Sequence, residues 1–444
     1  MRALLALAAC GLIPGIALGG ENLLALYREA LSGNAAFLAA RASTEADREN
    51  ENIARGQLFP NLSLSGNYGR NTTGRQFGNQ PREQFNYDSF SYSANFRQPL
   101  YRKYSFANYA QSRAQGEVAT ARLNQAGNDL AVKLTSAYMD ALFADDQLHF
   151  LEAQKASLQG QLNAARQGLI AGSGTRIDID EAQARLDLVL AQEVELQNLR
   201  QNNRRVLGAF VNRELQNLAA LDLNKLQMLP PAPAEINVWI ADAETNNAEY
   251  QGQLGQIKVA EQEVEKGLAG HYPTLDLVAS AGTSGNDSIS NLSRTGDSKY
   301  DTTSYGLQLN IPLFAGWQVN ATVRQARAKL EQARQQSEES RRNIGVQVHR
   351  EYDNVVQGLA KIRALERAEA SGKQIVLSAK KGVDAGVRST LDVLQVEQQY
   401  FSVLKDLANA RYSCLIASLK LKALAGVLGE ADIESLNTRL KLVP

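Results

Sequence analysis

Any chemistry in this chain has to be built from carboxylates, because 47 acidic side chains accompany only three histidines and two cysteines. His149, His271 and His349 are scattered singly, which is poor material for a metal cluster, so no metal site or other cofactor is expected. Asp145-Asp146 sits in a continuous helical stretch with no pocket-forming motif nearby, and general acid/base catalysis needs a cavity and opposed environments. No phosphate-binding glycine fingerprint, nucleophile elbow or zincin motif occurs. An enzyme is therefore not expected. The carboxylates that stand out are Asp178, Asp180 and Asp392, each shortly after a glycine and hydroxyl residues. Asp392 after Ser389-Thr390 reads most simply as an acid stabilising a first helical turn, and one of Asp178 and Asp180 caps a helix in the same way. Gly172, Gly174 and Gly386 read as turn or helix-terminal residues.

The chain around these residues is large and neutral. Its 444 residues are 44% apolar, enough for substantial packed regions, and 47 basic against 47 acidic side chains remove the electrostatic argument for a nucleic-acid partner. Residues 1–20 combine Arg2, an apolar stretch and small residues at Ala17 and Gly19, as a secretory signal peptide does. A competing reading makes Leu7-Ala8-Ala9-Cys10 a lipid-anchor site at Cys10, which the short lead-in disfavours. No later stretch is long and apolar enough for a transmembrane helix. An exported chain of this kind is soluble in the periplasm or crosses a membrane as a closed β-barrel.

A two-fold internal repeat organises the sequence. Phe59-Pro60-Asn61-Leu62-Ser63-Leu64 recurs as Tyr272-Pro273-Thr274-Leu275-Asp276-Leu277, and Gln98-Pro99-Leu100-Tyr101 recurs as Ile311-Pro312-Leu313-Phe314, both at an offset of 213. The Gly172 and Gly386 segments correspond at 214. The repeats are 21–230 and 235–430, joined by a Pro-rich linker at 231–234 and followed by a tail at 431–444. Each repeat reads as a helix, a β-hairpin (60–99 or 273–312) and a long helical hairpin (101–228 or 315–428). Alternation at Leu62, Leu64, Gly66, Tyr68 and at Tyr305, Leu307, Leu309, Ile311 suits a half-buried sheet on a soluble core equally, but the small polar residues out of phase, Ser63, Ser65, Asn67, Ser91, Ser93 and Asn95, favour the apolar-out, polar-in pattern of an outer-membrane strand. Strands of about ten residues are expected. Four strands cannot close a conducting barrel, so other copies of the chain must complete it. Leu130, Leu134, Ala137, Ala141, Ala144, Leu148, Leu151, Lys155, Leu158 and Leu162 alternate steps of four and three, which predicts coiled-coil-like packing.

This order, with Pro99-Leu100, Pro312-Leu313-Phe314-Ala315-Gly316 and Ala410-Arg411-Tyr412 before Leu419-Lys420-Leu421-Lys422, resembles the TolC-like outer membrane factor family over residues 21–430. The resemblance implies a mixed fold: a homotrimer whose four strands per chain form one twelve-stranded membrane β-barrel continuous with an α-helical periplasmic tunnel. It implies a passive exit duct in the outer membrane of a Gram-negative bacterium, serving a tripartite efflux pump or type I secretion. The partners implied are outer-membrane lipid, a periplasmic adaptor, and an inner-membrane efflux transporter or ABC exporter. Residue by residue, Asp392 matches the first aspartate of the family's pore constriction, while Gln395 stands at the second aspartate position and weakens the expected double acidic ring. Arg388 matches a gate-holding arginine, with Asp178 as its acceptor, and Val383 stands where relatives carry tyrosine, so the latch is altered. Gly172, Gly174 and Gly386 fall in the tunnel-tip turns, with adaptor docking as a secondary role. Pro60, Pro99, Pro273, Pro312 and Trp317 mark the barrel-to-helix junction.

The alternative from another class is a periplasmic coiled-coil adaptor or scaffold without a barrel, which leaves the twin lipid-compatible hairpins unexplained. A third reading, an exported sheet-and-helix enzyme, has no catalytic constellation behind it.

Overall fold

A computed structural model describes residues 21–441 except 173, 223–227 and 288–296. The signal-peptide and Cys10 readings lie outside the described residues. Elements run in the order α1 (Leu23–Gly33), α2 (Ala35–Gly56), β1 (Asn61–Arg75), β2 (Glu83–Arg102), α3 (Lys103–Ile170), α4 (Arg176–Val211) and β3 (Ala220–Leu221). They continue with α5 (Ile236–Asn246), α6 (Ala248–Leu268), β4 (Thr274–Asn286), β5 (Ser298–Asn310), α7 (Gln318–Asp384), α8 (Thr390–Leu424), α9 (Glu430–Asn437) and β6 (Leu440–Lys441). Two short helices, two strands and two long helices thus occur twice in the same order.

The chain divides into two compact units. One comprises 39–125 and 248–343 and contains the larger sheet, an antiparallel ribbon in the order β1-β2-β4-β5. The register pairs Leu62 with Phe96, Leu64 with Ala94, and Leu277 with Leu307, and so gathers the apolar residues on one face. Leu62, Leu64, Tyr68, Tyr305, Leu307 and Leu309 are all exposed there. On the other face small hydroxyls bridge neighbouring strands, Ser65 to Ser93 at 2.9 Å and Ser280 to Ser304 at 2.8 Å. The strands are longer than expected, 15, 20, 13 and 13 residues. The Gly/Asn-rich segments beyond the apolar alternation extend the ladders, because their polar side chains find cross-strand partners on both faces, Asn71 with Ser89 at 2.7 Å on the hydroxyl face and Thr72 with Asn86 at 2.7 Å on the face of Leu62. Pro99 does not end its strand: β2 runs on to Arg102 past a register irregularity between Pro99 and Tyr101, which accommodates the missing N–H. In the helical part of this unit small residues allow close approach. Thr44 donates to the Ala119 carbonyl at 3.3 Å, and a Cβ on Gly255 would stand 2.6 Å from Val118.

The other unit comprises, among the described residues, 21–38 and those of 126–247 and 344–441, and is built on long helices. Every apolar member of the four-three repeat on α3, from Leu130 to Leu162, is buried, and Lys155 instead pairs with Glu193 at 2.7 Å. This is the packing that a 3.5-residue period requires. The returning helix α4 stops at Val211, short of the expected 228. Asn212 takes a left-handed φ of 55° and its N–H donates to the Gly208 carbonyl, a helix stop that asparagine tolerates. The chain then turns inward, burying Leu215, Leu218 and Ala219, whose carbonyl accepts from the buried Tyr138 hydroxyl at 2.8 Å. The segment expected as a tail contains α9 and β6, and β6 pairs with β3 through Leu440 and Leu221. Ile433 and Leu436 anchor α9 in the same core.

Candidate functional site

Both helical hairpins of the second unit end in turns of one design. At the first, Gly172 has a φ of 73° and Thr175 caps α4. Asp178 Oδ2 accepts from the Thr175 backbone N–H at 2.8 Å and from its hydroxyl at 2.7 Å, while the Asp178 N–H donates back to Oγ1 at 3.3 Å. At the second, Gly386 has a φ of 74° and Ser389 caps α8. Asp392 Oδ2 accepts from the Ser389 N–H at 3.0 Å, and the Asp392 N–H donates to Ser389 Oγ at 3.2 Å. The left-handed glycines reverse the chain without the steric cost a Cβ would bring. The capping boxes start the returning helices.

These bonds fix the ionisation of both aspartates. The Thr175 hydroxyl and N–H hold the Asp178 carboxyl below the usual carboxylate range. The Ser389 N–H and hydroxyl, with the Arg388 guanidinium nearby, do the same for Asp392. Both are therefore anionic at neutral pH, on exposed turns.

The structure brings some of the anticipated residues together and not others. Arg388 lies beside Asp392, its N–H donates to the Gly382 carbonyl at 3.1 Å, and its stem packs over Gly382. Within the described chain no hydrogen bond or ion pair joins Arg388 to Asp178. Val383 accepts the Gly386 N–H through its carbonyl at 2.9 Å, and the exposed Gln395 lies one turn along α8 from Asp392. Gly174 donates to the Gly168 carbonyl at 3.0 Å and packs against the end of α3. Asp180 pairs with Arg176 at 3.2 Å, and Asp145 accepts a bifurcated contact from Arg204. Around the turns Ile170, Ile177 and Val387 are exposed.

In the sheet unit, Pro60 and Pro273 immediately precede β1 and β4, and Pro312 follows β5. Trp317 precedes α7 with a φ of 64°, is exposed, and meets Phe314 edge-on.

One polar node escaped the sequence reading. Glu397 on α8 is 5% exposed and gathers three helices. It accepts from Ser157 Oγ at 2.8 Å and Gln161 Nε2 at 2.6 Å on α3, and pairs with Lys380 on α7 at 2.7 Å. Glu397 follows Val393 and Leu394 at helical spacing, so an acid on an apolar stripe was the available signal.

Among the described residues no helix is long and apolar enough to cross a membrane, and no group of three or more His, Cys, Asp or Glu residues could hold a metal ion.

Comparison with known proteins gives a consistent family. The profile of the family described as outer membrane efflux protein matches residues 26–213 and 239–427. The alkaline protease secretion protein AprF of Pseudomonas aeruginosa is 34% identical over 417 residues, covering 92% of this chain and 85% of that protein. The proteases secretion protein PrtF of Dickeya chrysanthemi is 31% identical over 432 residues, covering 95% and 92%. Among solved structures, the CmeC outer membrane channel of Campylobacter jejuni superposes with a TM-score of 0.79 at 16% identity, covering 95% of this chain and 90% of that one.

Proposed function

The chain belongs to the outer membrane efflux protein family, a family of outer-membrane transport channels and not of enzymes, and on that premise we propose that it is the exit duct of a type I protein secretion machine. The observation that carries the duct reading is the four-stranded sheet. One face is an exposed apolar ladder from Leu62 to Leu309, the other is lined by hydroxyls and amides, and β1 and β5 each pair along one edge alone. Such a sheet is stable in lipid only when closed, and three copies supply twelve strands. The duplicated helical hairpins form the periplasmic tunnel, and the two repeats keep the limits 21–230 and 235–430.

The choice of polypeptide as cargo is supported by AprF and PrtF, relatives named for protease secretion that align over most of their lengths. Energy comes from an inner-membrane ABC exporter through a periplasmic adaptor. The exposed Ile170, Ile177 and Val387 beside Gly172, Gly174 and Gly386 offer that adaptor an apolar contact. At the tip, Asp392 forms a three-carboxylate ring that focuses cations, with Gln395 as an uncharged second rank. Arg388 and Asp178 act as a latch between neighbouring chains, Val383 adding no polar link. Pro60, Pro99, Pro273, Pro312 and Trp317 lie at the barrel-to-tunnel junction.

Planar-bilayer conductance of the detergent-purified protein, with oligomer mass measured on the same sample, tests this reading. Discrete channels from a trimer are expected. A soluble particle without conductance would overturn it.

A further inference from the structure

At its helical end the polar face of the sheet carries a compact charged rank. Asp276 on β4 is 3% exposed and is held by Arg102 of β2, whose Nε donates to Oδ1 at 2.8 Å while Nη2 donates to Oδ2. Arg97, also on β2, reaches the same carboxylate at 3.7 Å and donates from Nη2 to Gln308 Oε1 on β5 at 3.1 Å. The exposures of the two partners differ sharply: the Asp276 side chain is 4% exposed and that of Arg97 is 51%. The carboxylate is covered and already satisfied by Arg102, so the charge that faces solvent is a guanidinium.

The rank is isolated as well as asymmetric. Along the rest of the four strands, the positions in phase with Arg97 carry no charged residue other than Arg75 and Glu83, which stand opposite each other at the far end of the β1-β2 hairpin and balance in charge. Two arginines against one aspartate leave one uncompensated positive charge per chain, on an otherwise neutral polar face.

We propose that Arg97 is a charge-selectivity determinant of the duct, forming with its symmetry copies an electropositive collar that favours small anions over cations in the β-lined part of the path. This rests on the duct reading above, in which the polar face lines the lumen. A fixed charge on a low-dielectric wall enriches counter-ions near it, and at about 8 Å in water one unit charge changes the local concentration of a monovalent ion about twofold. The collar is a charge element separate from Asp392 and opposite to it in sign. Arg102 takes no part in selection, because its charge is matched by Asp276.

The test is the reversal potential of the full purified chain in planar bilayers under a KCl gradient at low ionic strength. Arg97→Gln is expected to raise the cation-to-anion permeability ratio about twofold, and Arg97→Lys to leave it unchanged. Arg102 continues to hold Asp276 in both variants. Gln308→Glu retains both arginines, adds a carboxylate beside Arg97 and is expected to raise the ratio similarly; it decides the matter alone if Arg97→Gln does not assemble. Channels whose ratio is the same in the natural chain and in every assembled variant would overturn the collar while leaving the duct intact. A natural chain that conducts nothing removes the duct reading and the collar together.

Discussion

Lys380 and Glu397, on the two helices of the second helical hairpin, meet at 2.7 Å with the carboxylate almost fully buried and the ammonium half-exposed. The same carboxylate accepts from Ser157 and Gln161 of α3, so one side chain ties the α7–α8 pair to the first hairpin. A buried carboxylate is held only when its lone pairs are met, and three donors meet them here, with the Ser157 hydroxyl placed between the two oxygens.

Replacing Glu397 by alanine leaves Ser157, Gln161 and Lys380 without their acceptor. A loss of about 2 kcal/mol is expected, below the figure for a fully buried pair because Lys380 reaches water. Thermal unfolding of the detergent-solubilised protein checks this. Glu397→Gln, which keeps one acceptor oxygen for the α3 donors and loses the ion pair with Lys380, should lose less; equal losses in the two variants would count against the hydrogen-bond account.

The capping boxes make a paired prediction. Ser389→Ala and Thr175→Ala each remove a helix cap, expected to cost about 1 kcal/mol apiece. Because the folded carboxyls of Asp178 and Asp392 lie below their unfolded values, their contribution is present above the unfolded pKa of about 3.9 and lost as pH falls through the folded values. The turns should therefore loosen only in acid. Hydrogen exchange at the Asp178 and Asp392 amides, followed from neutral pH to below pH 4, should lose protection; protection that persisted unchanged would exclude the capping role.

Asp392→Ala should lower single-channel cation preference or conductance, since the three-carboxylate ring loses its charge. Ser389→Ala, which removes the cap of the same turn and keeps the Asp392 carboxylate, is the control for a purely structural effect. Conductance and selectivity both unchanged by Asp392→Ala would remove the ring from the proposed mechanism.

Periodicity in the sequence and environment in the fold explain different parts of this molecule. The four-three spacing from Leu130 to Leu162 identifies a buried seam because helix geometry alone decides which face those residues share. The alternation at Leu62 and Leu307 likewise decides a face. Strand ends were less legible, since Asn71, Thr72 and Asn86 are loop-type residues that extend the ladder through cross-strand hydrogen bonds. The helix stop at Asn212 depends on a single left-handed residue in an otherwise helical sequence. Of the candidate site, the glycine turns and Asp caps were legible as local motifs. Glu397 was not, because its partners lie 240, 236 and 17 residues away in sequence, at Ser157, Gln161 and Lys380.

Asp146 offers the opposite pH sign to the caps. Burial pushes its carboxyl up, against the Tyr412 hydroxyl that donates to it at 2.8 Å, and Asp145 adds like-charge repulsion. Its stabilising contribution is present below the unfolded pKa and lost as pH rises through the raised folded value. Asp146→Asn keeps an acceptor for Tyr412 without a charge, so it should melt at or above the natural protein at pH 7 and lose that advantage in acid. A lower melting temperature at pH 7 would contradict the desolvation account.

The sheet face gives the last prediction. Leu307 pairs with Leu277 on the apolar ladder and is exposed in the isolated chain, where a soluble sheet would be expected to cover it. If lipid covers it, Leu307→Arg places a charge in the hydrocarbon, at a cost of about 2–4 kcal/mol per chain near the midplane. Three copies multiply that cost, so outer-membrane trimers should be depleted. The matching change on the polar face, Ser280→Arg, meets water in a duct and should assemble far better. The comparison separates lipid facing from general damage to the sheet: equal assembly of the two variants, measured as membrane-inserted trimer, would mean that the apolar ladder does not face lipid.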